Sequence, residues 1–362
     1  MMINLAEFNN LDSKIISPDN PMLTYSGRID FSNEEAPVLV YPASYIEINF
    51  TGTSCSIILE NKNAYWDNYL GFILDGQQGK LKLSKNQEIT LLKIADNLSY
   101  GRHSLMVFKR MDSCHIFAFY GFLVDRNCEL LPCNKKPKRR IEVYGDSVSA
   151  GEVSEAVDYV GKPDPSHNGE YSNSYYSYAW FTARKLNAQL HNIAQGGISL
   201  LDGSGYFLSP DTIGIMNTYD KIEYHPELSK PKLWDFSLYT PQVVIVAIGQ
   251  NDNYPIDYMK EDINCHKSKL WRSNYKRFII RLREHYPNAL IILTTTILRH
   301  DNSWDRAIDM VSREINDPKI KHFLYTNNGC GTDGHIRISE ADTMSDELCD
   351  FINSFGEEIW LD

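Results

Sequence analysis

The hydrophobic rhythm of this chain changes once, across a short basic run, Lys135-Lys136-Pro137-Lys138-Arg139-Arg140. Ahead of the run the period is two. In residues 44–50, Ile46, Ile48 and Phe50 alternate with Tyr45, Glu47 and Asn49, which predicts a half-buried strand. Similar runs follow at 55–59, 69–74, 105–108 and 116–124, with Asp75-Gly76 and Tyr100-Gly101 supplying turns. Many short strands without a helical period predict an all-β sandwich, a jelly roll. Beyond the run, strands and helices alternate. Apolar strands are expected at 141–144, 191–194, 243–248, 290–297 and 320–325. Helices are expected at 175–186, 267–285 and 304–315, with a last one starting near Glu340. That alternation predicts an α/β domain with a parallel sheet covered on both faces.

A chain of 362 residues exceeds what one core usually organises. We therefore expect a β-sandwich at 1–134, a solvated linker at 135–140 and an α/β domain at 141–362. Residues 202–240, rich in Asp, Tyr, Ser, Gly and Pro, fit neither rhythm and predict an irregular excursion at the sheet's active edge. A net charge of -11 argues against a nucleic-acid partner. Residues 1–14 lack the apolar stretch of a signal peptide, and no run approaches a membrane span, so no membrane partner and a cytoplasmic location are expected. The seven cysteines have no CxxC spacing and are expected to be reduced thiols, with no metal site. Exposed sandwich faces allow a homo-oligomer, and no sequence feature fixes its order.

Ligands of an open α/β sheet gather at the carboxyl ends of its strands, and four strand-end loops here carry chemistry. After the 141–144 strand comes Gly145-Asp146-Ser147, placing a serine hydroxyl at a helix start beside an unpaired backbone N–H. The G-x-S-x-G spacing of a nucleophile elbow is absent. After 191–194 comes Gln195-Gly196-Gly197, where paired glycines let backbone approach a ligand. After 243–248 comes Gly249-Gln250-Asn251-Asp252, which offers an amide donor. The last loop carries Asp333-Gly334-His335, a base with a carboxylate beside it. Taken singly, each reads equally well as a turn or a cap. In order, they supply a nucleophile, oxyanion donors and a base.

The set Gly145-Asp146-Ser147, Gly197, Gly249-x-Asn251-Asp252 and Asp333-x-His335 resembles the four blocks of the SGNH (GDSL-like) hydrolase superfamily. With a β-sandwich ahead of it and one residue between the last Asp and His, the chain is similar to carbohydrate esterase family 2. The resemblance implies a flavodoxin-like sheet and an acetyl xylan esterase-like activity on acetylated xylan or glucomannan. It implies Ser147 as nucleophile, His335 as base and Asp333 as the acid that orients it. In some relatives a backbone carbonyl takes that last role. The oxyanion donors would be the backbone N–H groups of Ser147 and Gly197 and the side chain of Asn251. No cofactor is implied. The chain departs from the pattern at Ile336, where many members have proline, and in the flanks of Gly196-Gly197.

Aromatic rings help hold sugars in this family. On position, Trp304 is the first candidate here, followed by Trp234 and Tyr254, although core packing explains each ring as well. The competing readings are an SGNH esterase or lipase acting on another small acyl ester, and a non-catalytic carbohydrate-binding protein.

Overall fold

A computed structural model describes residues 12–296, 299–327 and 332–361. Most of the N-terminal segment, the end of the expected 290–297 strand at Ile297, and Gly331 and Cys330 of the last loop lie outside the described residues. Two six-stranded antiparallel sheets form the first part. One is built around Cys55–Asn63 and His115–Asp125, the other around Tyr45–Gly52 and Gly101–Lys109. The alternation read from the sequence is kept, with Ile46, Ile48 and Phe50 wholly buried. They meet Ile57, Leu59 and Phe119 of the opposite sheet in one apolar layer. Tyr69–Leu74 and Gln77–Lys82 form a hairpin across Asp75-Gly76. Both turn residues have positive φ (50° and 82°), which matches the right-handed twist of the strands.

The second part holds five parallel strands: Arg139–Gly145, Ala188–Ala194, Val243–Ala247, Leu290–Thr294 and Ile320–His322. Numbered along the chain, their spatial order is 2-1-3-4-5, the flavodoxin-like arrangement. Such an order places a crevice where the strand sequence reverses, between the loops after the first and third strands. Helices Tyr178–Lys185 and Ile338–Asn353 cover one face, and His266–His285 and Ser303–Ile315 the other. Among the described residues no helix is long and apolar enough to cross a membrane.

The basic run is less of a linker than its composition suggests. The first parallel strand already begins at Arg139, and Arg140 Nε donates to the Thr240 carbonyl at 2.6 Å. Buried clusters also run across the boundary. Val40, Tyr41, Cys114 and Ile116 of the sandwich pack with the parallel-sheet core, and so do Ala43 and Phe108 on the other side. The 202–240 excursion is not wholly irregular either. It contains a small sheet of Lys221–Glu223 and Lys232–Leu233 and reaches back to the sandwich.

Arg28 of the sandwich carries that contact. It is fully buried, donates to the carbonyls of Tyr219 (2.7 Å) and Lys221 (3.2 Å), and pairs with the equally buried Glu142 at 3.5 Å. Glu142 lies inside the first parallel strand and also accepts from Tyr286 Oη at 2.7 Å. Truncating one partner of such a pair strands the other charge in low dielectric. Arg28→Met should therefore lower unfolding free energy by about 3–5 kcal/mol in denaturant titration, and adding Glu142→Leu should recover much of it.

Candidate active site

Ser147 opens a single helical turn, Ser147–Ala150, directly after the first strand. Glycine is required on both sides of that turn. A Cβ at Gly145 would lie 2.0 Å from Ser149 Oγ, and Gly151 ends the turn at φ 79° with a Cβ position 2.5 Å from the Asn173 carbonyl. Asp146 caps the turn by accepting from Val148 N–H at 3.0 Å. The same buried carboxyl accepts from Gln250 Nε2 at 2.8 Å, which ties the first-strand loop to the third-strand loop. Burial pushes its pKa up to about 7, against the pull of the Val148 hydrogen bond. Among the described residues Ser147 N–H has no acceptor, as expected at a helix start.

The Gly196-Gly197 turn is held from the other half of the molecule. Asp112 of the sandwich accepts from Gly196 N–H at 2.9 Å and from Gln195 Nε2 at 2.8 Å through one oxygen. Its other oxygen faces His115 Nδ1 at 2.8 Å. Gly197 has φ 71°, and a Cβ there would lie 2.8 Å from Tyr206 Cβ, so no other residue fits without moving the excursion. Its N–H has no acceptor among the described residues. Asn251 starts a 3-10 turn, Asn251–Asn253, just past the third strand. Its Nδ2 donates to the Ile198 carbonyl at 3.0 Å and makes only a long 3.4 Å contact to Asp146.

His335 lines the same cavity as Ser147, Gly197 and Asn251, but its partner is not Asp333. Asp333 is exposed and ion-pairs with Arg299 at 2.8 Å. Gly334, at φ 82°, turns the chain between the two residues. Asp164 takes the place instead, accepting from His335 Nδ1 at 2.6 Å. A Cβ at Gly334 would come within 2.6 Å of that carboxylate, so the glycine is what lets Asp164 close in. Arg337, fully buried, fixes both groups, donating to the His335 carbonyl at 2.6 Å and pairing with Asp164 at 2.8 Å. His335 Nε2 is buried without a hydrogen-bond partner, 3.9 Å from Glu152 Oε2.

A second histidine completes the cluster. His167 bonds Glu152 Oε1 through Nδ1 (2.8 Å) and Asp164 Oδ2 through Nε2 (3.3 Å). Those two bonds raise its pKa to about 9. It is a cation at neutral pH and donates to both. For Asp164, burial is outweighed by His167, His335 and Arg337, which hold the carboxyl well below its ordinary range. For His335, burial pulls the pKa down, yet Glu152 and the Asp164 hydrogen bond prevail and raise it above 6.5. Asp164, His167 and His335 bring three potential metal-ligand atoms within 4.8 Å of one another, and Asp164 Oδ2 is already hydrogen-bonded by both rings.

The cavity measures about 720 Å³. Its aromatic lining is Tyr65 and Trp66 from the sandwich and Tyr206 and Phe207 from the excursion, none of which the sequence reading singled out. The three aromatic candidates fall elsewhere. Trp304 has no exposed surface; it packs edge-on against Trp271 at 5.4 Å and donates its indole N–H to Asp257 at 3.0 Å. Trp234 lies outside this cavity, under Arg28, whose guanidinium stands 5.0 Å from its ring. Tyr254 reaches the rim only indirectly, stacked on Tyr206 at 4.3 Å.

A 2-1-3-4-5 parallel sheet with serine, glycine, asparagine and histidine on the loops after its first, second, third and fifth strands defines the SGNH-hydrolase fold. Residues 25–133 match the family model described as carbohydrate esterase 2 N-terminal. The chain is 30% identical over 348 residues to the cellulase/esterase CelE of Acetivibrio thermocellus, matching 93% of its own length and 40% of that protein. The chain thus spans well under half of that relative. It is 25% identical to an acetylxylan esterase / glucomannan deacetylase of Cellvibrio japonicus, over 95% of this chain and 93% of that one. A solved family two carbohydrate esterase from Clostridium thermocellum, in complex with cellohexaose, superposes with a TM-score of 0.77 at 28% identity. That match covers 94% of this chain and all of that one. Residues 25–133 thus match the N-terminal model of carbohydrate esterase 2, and the chain as a whole is similar to solved family two carbohydrate esterases.

Proposed function

We propose that this protein is a serine esterase that removes O-acetyl groups from acetylated xylan- or glucomannan-type saccharides through an acyl-enzyme. One observation carries the reading. In a cavity shared with Ser147, His335 has one ring nitrogen bound to a carboxylate and the other buried without a partner. That is the arrangement of a base awaiting a hydroxyl, and such contacts tighten only when substrate is bound. His335 Nε2 takes the Ser147 proton as Oγ attacks the acetyl carbonyl. The oxyanion settles on the Ser147 and Gly197 N–H groups, and the Asn251 amide turns toward it from its long contact with Asp146. The sugar alkoxide leaves with the proton from His335. Water, deprotonated by the same histidine, then releases acetate. Tyr65, Trp66, Tyr206 and Phe207 give the sugar apolar faces to lie against. The names of the two relatives support the substrate class.

The test is acetate release from p-nitrophenyl acetate and from acetylated xylo-oligosaccharides, for wild type beside Ser147→Ala. Activity on both that vanishes in the variant supports nucleophile and substrate class together. Activity on the nitrophenyl ester alone keeps the esterase and rejects the saccharide. Preference for longer acyl chains favours the lipase-type alternative.

A base must be neutral to work, so kcat/KM should rise with pH through the raised pKa of His335. Glu152→Gln removes the main raising influence. The acid limb of the profile should therefore move to lower pH, and an unmoved limb would separate Glu152 from the titration.

A further inference from the structure

The basic run that divides the two halves has no part in the catalytic cavity. Lys135 and Lys136 stand instead over a second cavity, of about 630 Å³, at the junction of the two halves. The two cavities share no lining residue. Gln189 and His191 line the second one from the edge strand of the parallel sheet, and Gln189 precedes Gly196 by seven residues, roughly 20 Å of extended chain.

The walls are open and mix polar with apolar surface. Phe31 is 46% exposed and sits edge-on to Tyr25 at 5.2 Å, while Leu238 is 69% exposed. Trp234, misplaced by the sequence reading, belongs here, and its backbone N–H is fixed to the Asp220 carbonyl at 2.8 Å. Ring faces beside an amide and an imidazole suit a sugar, which presents C–H faces to rings and hydroxyls to polar groups. The two lysines add a demand for negative charge. Neither is in an ion pair among the described residues, while Glu47 attracts Lys136 from beyond ion-pair distance, in a chain whose net charge is -11.

We propose that this second cavity binds an acidic oligosaccharide, with the carboxylate of a uronic acid unit between Lys135 and Lys136 and neighbouring sugar rings on Phe31 and Trp234. The sugar class rests on the carbohydrate reading given above; the charge and the location do not. Bound there, an acidic chain keeps its acetylated units at high local concentration around the esterase cavity.

Calorimetric titration of the full chain with an unacetylated xylo-oligosaccharide bearing one glucuronic acid, and with the same oligosaccharide lacking it, tests this. Wild type should bind the acidic ligand, less tightly as salt rises, and the neutral one about tenfold more weakly. Lys135→Ala with Lys136→Ala should cost about tenfold in affinity for the acidic ligand and leave p-nitrophenyl acetate turnover unchanged. Equal affinity for the two ligands, wild-type affinity in the variant, or no binding at all would each overturn the proposal. No acetyl ester takes part in the titration, so failure of the esterase reading would show separately, as missing acetate release.

Discussion

Ser147→Ala should reduce turnover of an acetyl ester by about 10⁵–10⁶-fold, and His335→Ala by a similar factor. The two losses should not add. A hydroxyl without its base and a base without its hydroxyl are equally idle, so the double variant should be no worse than either single one. Residual turnover above the water reaction should remain, because the Ser147 and Gly197 N–H groups and the Asn251 amide do not depend on either side chain. Acetate release, measured with enough enzyme to see several decades of loss, reads all of this. Near-native turnover in Ser147→Ala would remove the nucleophile and the acyl-enzyme with it.

The second large effect separates two aspartates that lie close to the base in quite different ways. Asp164→Asn should cost about 10⁴-fold in turnover, since an amide no longer enforces the tautomer with the proton on Nδ1. Asp333→Asn should leave turnover near wild type, because it breaks only an exposed pair with Arg299. Asp164 also binds His167 and Arg337, so the loss has to be shown in a folded protein. An unchanged thermal midpoint together with a lost acid limb in the pH profile assigns it to His335. The reverse ranking of the two variants would restore the neighbour in sequence as the partner.

That reversal shows where a sequence stops being readable. The strands were legible because burial imposes a period, and the four strand-end loops were legible because a parallel sheet fixes which ends face the ligand. Asp333 was drawn in by proximity along the chain, and nothing in the letters says that the glycine after it turns the backbone away. Asp164 and Glu152 come from the stretch between Gly151 and Ser174, which has no period and is placed only by its contacts. Trp304 was avoidable. Trp304, Ala307, Ile308 and Val311 recur at helical spacing, and all four are buried on one face. Tyr65 and Trp66 are illegible for a different reason: strand-end logic points only to the α/β half, and these rings arrive from the other half.

Asp112 gives that last point a developmental meaning. Domains generally fold in N-to-C order during synthesis, and the sandwich with this carboxylate precedes Gln195-Gly196-Gly197 in the chain. The earlier half thus acts as a buttress for the later one, and excising it should leave the Gly196-Gly197 turn without the carboxylate that holds it.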